Sequence, residues 1–146
     1  GVMKALARFF SLALIGLIGA VTLSAGGDKK AVVWPAGDVK WVESPAMKGL
    51  SIATLWGDPS TGAYGALKKV GGGTDFGWHT HASDQKVVAI SGTFDFQLEG
   101  QDAKVLSSGS YLSIPSGVKH WPKCRAGADC VWFEEATGKS DYIPAK

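Results

Sequence analysis

Between residues 39 and 136 the chain alternates apolar and polar residues over short runs, which glycine, proline, aspartate and serine interrupt. Such alternation is typical of half-buried β-strands, because successive side chains of a strand point to opposite faces. Many short strands with regular turns predict an all-β sandwich or barrel. The predicted strands lie in residues 39–44, 49–70 (two strands around a turn at 57–62), 85–100 (two strands hinged at Gly92), 103–121 (two strands) and 130–136.

The first 25 residues follow a different pattern. Lys4 and Arg8 precede an apolar run from Phe9 to Leu23, and small residues follow it. This order is typical of a secretory signal peptide, and the run is shorter than the ~20 residues that a membrane-spanning helix needs. We predict a signal helix in residues 1–25, with an uncleaved membrane anchor as the alternative. A linker (26–36) and a single domain (37–146) follow, in a protein expected to be periplasmic or secreted.

Composition and charge narrow the partners of this domain. The 146 residues suit one domain, and 20 glycines with 45% hydrophobic residues suit a turn-rich β protein better than a helical bundle. Two of the 15 basic residues, Lys4 and Arg8, lie in the signal region, which leaves 13 basic against 13 acidic residues. A neutral domain without a basic cluster gives no reason to expect nucleic acid or a membrane surface as a partner of the mature domain.

The candidate chemistry lies in the histidines. His79 and His81 are two residues apart, so on a strand they point to the same face. Gln85 has the same parity, although the intervening residues 82–84 have a turn-like composition. His120, the remaining histidine of the chain, lies on another predicted strand. Imidazoles are natural ligands of first-row divalent metals, so this group is a candidate metal site.

The spacing around these histidines forms two motifs. The first is Gly73, five residues, His79-x-His81, three residues, Gln85, six residues, Gly92; the second is Gly109, five residues, Pro115-x-Gly117, two residues, His120, three residues, Cys124. Together they resemble the two conserved motifs of the cupin superfamily, in particular its small bacterial single-domain members. The resemblance covers residues 62–136 and implies an all-β double-stranded β-helix, the cupin or jelly-roll barrel.

The resemblance also implies a ligand set for one divalent transition metal, which could be Fe, Mn, Ni, Zn or Cu. His79, His81 and His120 would be its imidazole ligands. Gln85 stands where the family pattern has glutamate and would ligate through its amide oxygen, with Asp84 as the alternative ligand. An amide leaves the ion its full charge, so we expect weaker binding, stronger Lewis acidity and attraction for an anionic substrate.

Cys124 and Cys130 flank five residues of turn-like composition between two predicted strands. In an oxidising compartment a disulfide would close this hairpin, whereas two free thiols remain the alternative.

Two function classes remain open. Similarity to the three-histidine sites of thiol and diketone dioxygenases implies a metal-dependent enzyme of dioxygenase type that acts on a small molecule. The alternative is a non-enzymatic extracytoplasmic module that binds a metal or a small ligand. Cupins commonly dimerise, so a homodimer is a further expectation. No catalytic side chain is assigned; Glu134 or Glu135 could face the cavity, and Tyr64, Trp56 and Val87 are candidate cavity walls.

Overall fold

Eleven β-strands and one short 3-10 helix (Ala36–Asp38) make up residues 30–146, the part of the chain that the computed structural model describes. The predicted signal helix, its anchor alternative and the beginning of the linker lie outside these residues. Within them, no helix has the length and apolarity needed to cross a membrane. The strands are β1 (Val42–Glu43), β2 (Ser51–Gly57), β3 (Tyr64–Val70), β4 (His79–Thr80), β5 (Gln85–Ser91), β6 (Phe94–Leu98), β7 (Lys104–Leu106), β8 (Tyr111–Ile114), β9 (His120–Cys124), β10 (Cys130–Ala136) and β11 (Ile143–Pro144).

The strands form two sheets, which confirms the all-β prediction. One sheet has six strands in the order β1-β2-β3-β10-β5-β8, and the other has five in the order β11-β4-β9-β6-β7. Every pairing is antiparallel within residues 30–146. Strand β1 is shorter than the predicted 39–44, because only Val42 and Glu43 pair with β2.

Burial alternates along the central strands of the larger sheet. In β10, every second residue from Cys130 to Ala136 is buried, and the residues between them are partly exposed. The same alternation places Lys68 of β3 among the buried positions. The buried faces of the two sheets enclose the space between them. Because burying a polar group there is costly, a polar residue on one of these faces is a candidate functional residue.

The turn at Gly92 shows why this position requires glycine. Gly92 has a φ of +77°, and a Cβ built there would lie 2.6 Å from the carbonyl oxygen of Asp129. The chain therefore approaches the connection between β9 and β10 too closely for any side chain. This connection, which is not the hairpin expected from the sequence, carries a disulfide between Cys124 and Cys130, whose Cα atoms are 5.9 Å apart. Because β9 and β10 belong to different sheets, this bond links the two sheets covalently.

Candidate metal centre

Strand pairing brings the three histidines together. His79 of β4 is directly opposite His120 of β9, and His81 follows two residues later on the same side. One ring nitrogen from each histidine lies within 4.8 Å of those of the other two. His79 and His120 are 3% and 2% exposed, and the side chain of His81 is 11% exposed.

Hydrogen bonds at the second ring nitrogen set the tautomer of each histidine. Nδ1 of His79 lies 2.9 Å from the carbonyl oxygen of Gly77, Nδ1 of His120 lies 2.9 Å from that of Val118, and Nδ1 of His81 lies 2.9 Å from that of Asp141. A carbonyl oxygen can only accept, so each Nδ1 carries the proton and donates it. Each Nε2 is then unprotonated, and its lone pair is available to bind a metal. This arrangement is typical of metal-binding histidines.

Burial keeps the imidazoles of His79 and His120 neutral. Desolvation by burial is the main cause that lowers the pKa of His79 to about 4; the neighbouring rings of His120 and His81 contribute in the same direction, and the bond to the Gly77 carbonyl opposes them. Burial is also the main cause that lowers the pKa of His120, and the neighbouring ring of His81 contributes in the same direction. An imidazole must be unprotonated to offer its lone pair to a metal, so the cluster fits a divalent cation at neutral pH.

A cavity of about 140 Å³ lies between the sheets and is lined by the three histidines. Gln85, which is 5% exposed, lines the same cavity. Beyond this polar end its walls are mostly apolar, and they include Met47, Leu50, Val87, Phe94, Leu112 and Trp132. The arrangement offers room for a small molecule next to the imidazoles.

Asp84, the alternative ligand, has another contact. Its Oδ1 atom accepts a hydrogen bond from the backbone N–H of Ser116 at 2.8 Å, and the residue is exposed. It is outside the set of residues that line the histidine cavity. Strand β5 begins at Gln85, so Asp84 lies before the strand that points Gln85 inward.

A buried ionic network lies on the wall of the same cavity. Glu134 Oε1 accepts a hydrogen bond from Lys68 Nζ at 2.5 Å and another from the Tyr64 hydroxyl, while Oε2 accepts one from Trp132 Nε1 at 3.3 Å. Burial alone would raise the pKa of Glu134, but the Lys68 ammonium and these hydrogen bonds outweigh it and lower the pKa. Burial likewise opposes the Lys68 charge, yet Glu134 raises the Lys68 pKa. Both groups are charged at neutral pH.

The other residues considered in the sequence have mixed outcomes. Glu135 is partly exposed, with its carboxylate 3.6 Å from Lys86, so Glu134 is the one of the pair that faces the cavity. Val87 lines the cavity, whereas Trp56 is 45% exposed and Tyr64 is fully buried. Sequence reasoning missed Lys68 and Asp141. Alternation along β3 was a usable signal for Lys68, but no local pattern marks Asp141.

Solved structures with a similar fold support the two-sheet architecture. The polyketide cyclase RemF from Streptomyces resistomycificus matches with a TM-score of 0.65 at 16% identity, over 80% of this chain and 87% of that one. An RmlC-like cupin from Ralstonia eutropha matches with a TM-score of 0.61 at 20% identity, over 75% and 69%. The DMSP lyase DddQ from Ruegeria pomeroyi matches with a TM-score of 0.60 at 15% identity, over 75% of this chain and 62% of the lyase.

At these identities the likeness shows the fold alone, and it confirms the cupin-like fold that the two motifs predict. The chain covers 64% of the length of another DMSP lyase structure. No curated protein matches the sequence significantly. A family model described as a domain of unknown function, DUF4437, matches residues 25–142. Since this match covers most of the chain, the protein belongs to the DUF4437 family.

Proposed function

We propose that this protein is a metal-dependent enzyme of dioxygenase type that acts on a small molecule. One divalent transition metal would be held by His79, His81 and His120, with the amide oxygen of Gln85 as a fourth ligand. The observation that carries the proposal is the tautomer of the three histidines: each Nδ1–H donates to a carbonyl, so three Nε2 lone pairs converge at one end of a cavity.

The cavity supports an open site over a closed structural one. Structural zinc sites are four-coordinate and enclosed by their ligands, whereas catalytic sites keep a position for water or substrate. Here the histidines border about 140 Å³ of space with mostly apolar walls. A bound ion would supply Lewis acidity and open positions for a substrate and for dioxygen. An apolar pocket with one polar end suits a compact molecule with a single anionic or chelating group.

The proposed ligand set is electrically neutral, and this feature favours an anionic group on the substrate. Three imidazoles and an amide leave a divalent cation its full charge. We retain Gln85 as the fourth ligand because it lines the cavity, whereas the Asp84 carboxylate accepts a hydrogen bond from Ser116 outside it.

A non-enzymatic binding module is the second candidate. It is favoured by the state of Glu134, the carboxylate on the cavity wall. Lys68, Tyr64 and Trp132 already occupy its oxygens, so this carboxylate is poorly placed to move a substrate proton.

Export of the protein is part of the proposal. The signal-like residues 1–25 support it, and so does the Cys124–Cys130 disulfide, because such bonds persist in oxidising compartments such as the periplasm. Association as a homodimer remains an expectation from the cupin resemblance.

Metal analysis and oxygen uptake test the proposal. Protein purified without chelator or added metal is analysed for Fe, Mn, Ni, Zn and Cu, and is then loaded with Fe(II) without oxygen. We expect oxygen consumption with one member of a panel of thiols, diketones and flavonols, and none from the His120→Ala variant. The similar structures described above suggest DMSP and a polyketide as further compounds to test.

The outcomes separate the two candidates. If the iron-loaded protein consumes no oxygen with any compound, the dioxygenase proposal fails. Tightly held zinc together with ligand-induced thermal stabilisation and no turnover would instead support the binding module. A wild-type protein that takes up no divalent metal would refute the dioxygenase proposal and leave only a module that binds a small ligand.

A further inference from the structure

The three histidines differ in where their orienting partners come from. His79 and His120 each bond to a carbonyl two residues earlier in the same chain segment, at Gly77 and Val118. These two rings are therefore set by their own strands. The orienting partner of His81 is Asp141, which is 60 residues away in the sequence.

Asp141 holds His81 by both its backbone and its side chain. Nδ1 of His81 lies 2.9 Å from the Asp141 carbonyl oxygen and 3.2 Å from its carboxylate Oδ1. The second carboxylate oxygen, Oδ2, accepts a hydrogen bond from the backbone N–H of Ala82 at 2.9 Å. One side chain thus fixes both the ring of His81 and the backbone that follows it.

Asp141 lies in a segment, residues 137–145, that we call the C-terminal strap. It leaves β10, and the N–H of Ser140 bonds to the carbonyl of Pro59 at 2.7 Å. Its strand β11 pairs with β4 through Ile143 and Pro144, opposite Thr80 and His79. The strap therefore covers the edge of β4, the strand that carries His79 and leads into His81, which gives Asp141 a fixed frame.

The charge of Asp141 matters because the proposed ligands carry none. Its side chain is only 18% exposed, so water screens its carboxylate weakly. A carboxylate that accepts from Nδ1–H makes the opposite nitrogen a more basic metal ligand. Asp141 thus supplies a negative charge next to His81 without contacting the ion.

We propose that Asp141 is the positioning residue of the metal centre: it fixes the tautomer and orientation of His81 and places a negative charge behind a neutral ligand set. The inference rests on the proposed metal-binding function. Its consequence is that the metal centre is complete only when the C-terminal strap is docked.

Two measurements on the full chain test this inference, using Asp141→Ala, Asp141→Asn and the control Asp95→Asn. Asp95 is a carboxylate on β6 that binds Arg125 and is outside the cavity lining. Zn²⁺ affinity is measured by competition with a chromophoric chelator. The tautomer of each histidine is measured by long-range ¹H–¹⁵N correlation spectra of metal-free protein at mildly alkaline pH, which needs no bound ion.

We expect Asp141→Ala to weaken Zn²⁺ binding about 10- to 100-fold, as is typical for loss of a group that orients a ligand. Asp141→Asn keeps the size and one acceptor oxygen, so it should lose less, and Asp95→Asn should bind as the wild type. The carbonyl of residue 141 remains in Asp141→Ala, but the bond from the Ala82 N–H to Oδ2 that holds it beside the His81 ring is lost. His81 should therefore change from the Nδ1–H form to a mixture, while His79 and His120 keep Nδ1–H.

An unchanged His81 tautomer in Asp141→Ala overturns the inference, and so does a Zn²⁺ affinity equal to that of the wild type. If the wild type itself binds no metal, the proposed function fails and the tautomer spectra alone decide the role of Asp141. Should Asp141→Ala not fold, a Zn²⁺ affinity of Asp141→Asn equal to that of the wild type overturns the role of its charge.

Discussion

The ion pair between Lys68 and Glu134 gives the sharpest prediction about stability. Their side chains are 8% and 6% exposed, and the Nζ–Oε1 distance is 2.5 Å. Replacing Lys68 by Met removes the ammonium and leaves the Glu134 carboxylate buried without a counter-charge. We therefore expect Lys68→Met to destabilise the protein strongly, although methionine fills most of the same volume.

The magnitude follows from the burial of the pair. Removing one partner of a buried ion pair costs about 3–5 kcal/mol, because the remaining charge is not compensated. Glu134 keeps hydrogen bonds from the Tyr64 hydroxyl and from Trp132 Nε1. We expect Lys68→Met to lie near the lower end, about 3 kcal/mol. The double variant Lys68→Met/Glu134→Gln removes both charges and keeps an acceptor for Tyr64, so it should lose only about 1 kcal/mol.

The double-mutant cycle consists of the wild type, Lys68→Met, Glu134→Gln and the double variant. Urea denaturation followed by circular dichroism measures the free energy of unfolding of each. The control is Lys86→Met, which breaks an exposed pair with Glu135 at 3.6 Å and side-chain exposures of 61% and 42%. Exposed pairs contribute about 0–1 kcal/mol. If Lys68→Met costs no more than this control, or if the double variant is less stable than both single variants, the reasoning about a buried charge pair is refuted.

Three further outcomes are expected. Folding lowers the pKa of Glu134 and raises that of Lys68. The stabilisation from this pair should therefore be lost as the pH falls through the folded pKa of Glu134, and also as the pH rises through the folded pKa of Lys68. The free energy of unfolding measured against pH should show both losses in the wild type and neither in the double variant Lys68→Met/Glu134→Gln. Gln85→Glu should tighten Zn²⁺ binding, because an anionic ligand replaces a neutral one, and unchanged affinity in a chelator competition would remove Gln85 from the ligand set. Gly109 has a φ of +87° and open space around a Cβ, so Gly109→Ala should lower the free energy of unfolding by about 1–2 kcal/mol. Gly92→Ala should lower it clearly more, because its Cβ would lie 2.6 Å from the carbonyl oxygen of Asp129. Equal decreases in the melting temperature of the two variants would contradict the crowding argument.

Local patterns sufficed for the strands and for one face of the site. Alternation located β3, β5 and β10 because one side of each strand is buried. The i, i+2 relation of His79 and His81 needs only the geometry of a strand. The pairing of His120 with His79 joins two strands that are distant in the sequence. Periodicity alone does not predict this pairing, whereas the spacing of the two motifs that resemble the cupin superfamily does.

The parts that were missed depend on contacts distant in sequence. Lys68 occupies an inward position of β3, and a charged residue there is tolerated only because the Glu134 carboxylate of the adjacent strand β10 pairs with it. The alternation within β3 does not reveal that contact. Asp141 lies in a segment with a two-residue strand, too short for any periodicity. Trp56 was expected on the cavity wall, yet its position near the end of β2 leaves it 45% exposed.

The disulfide between the sheets also bears on which metal the protein acquires. The chain has two cysteines, and both are used in this bond. Before oxidation they are soft thiolate donors that compete with the imidazoles for Zn²⁺ and Cu⁺. Oxidation removes these competitors, so maturation in an oxidising compartment leaves the histidine cluster free of competition from thiolates. We expect the reduced protein to bind additional Cu⁺ relative to the oxidised protein, and a stoichiometric titration of both forms measures that difference.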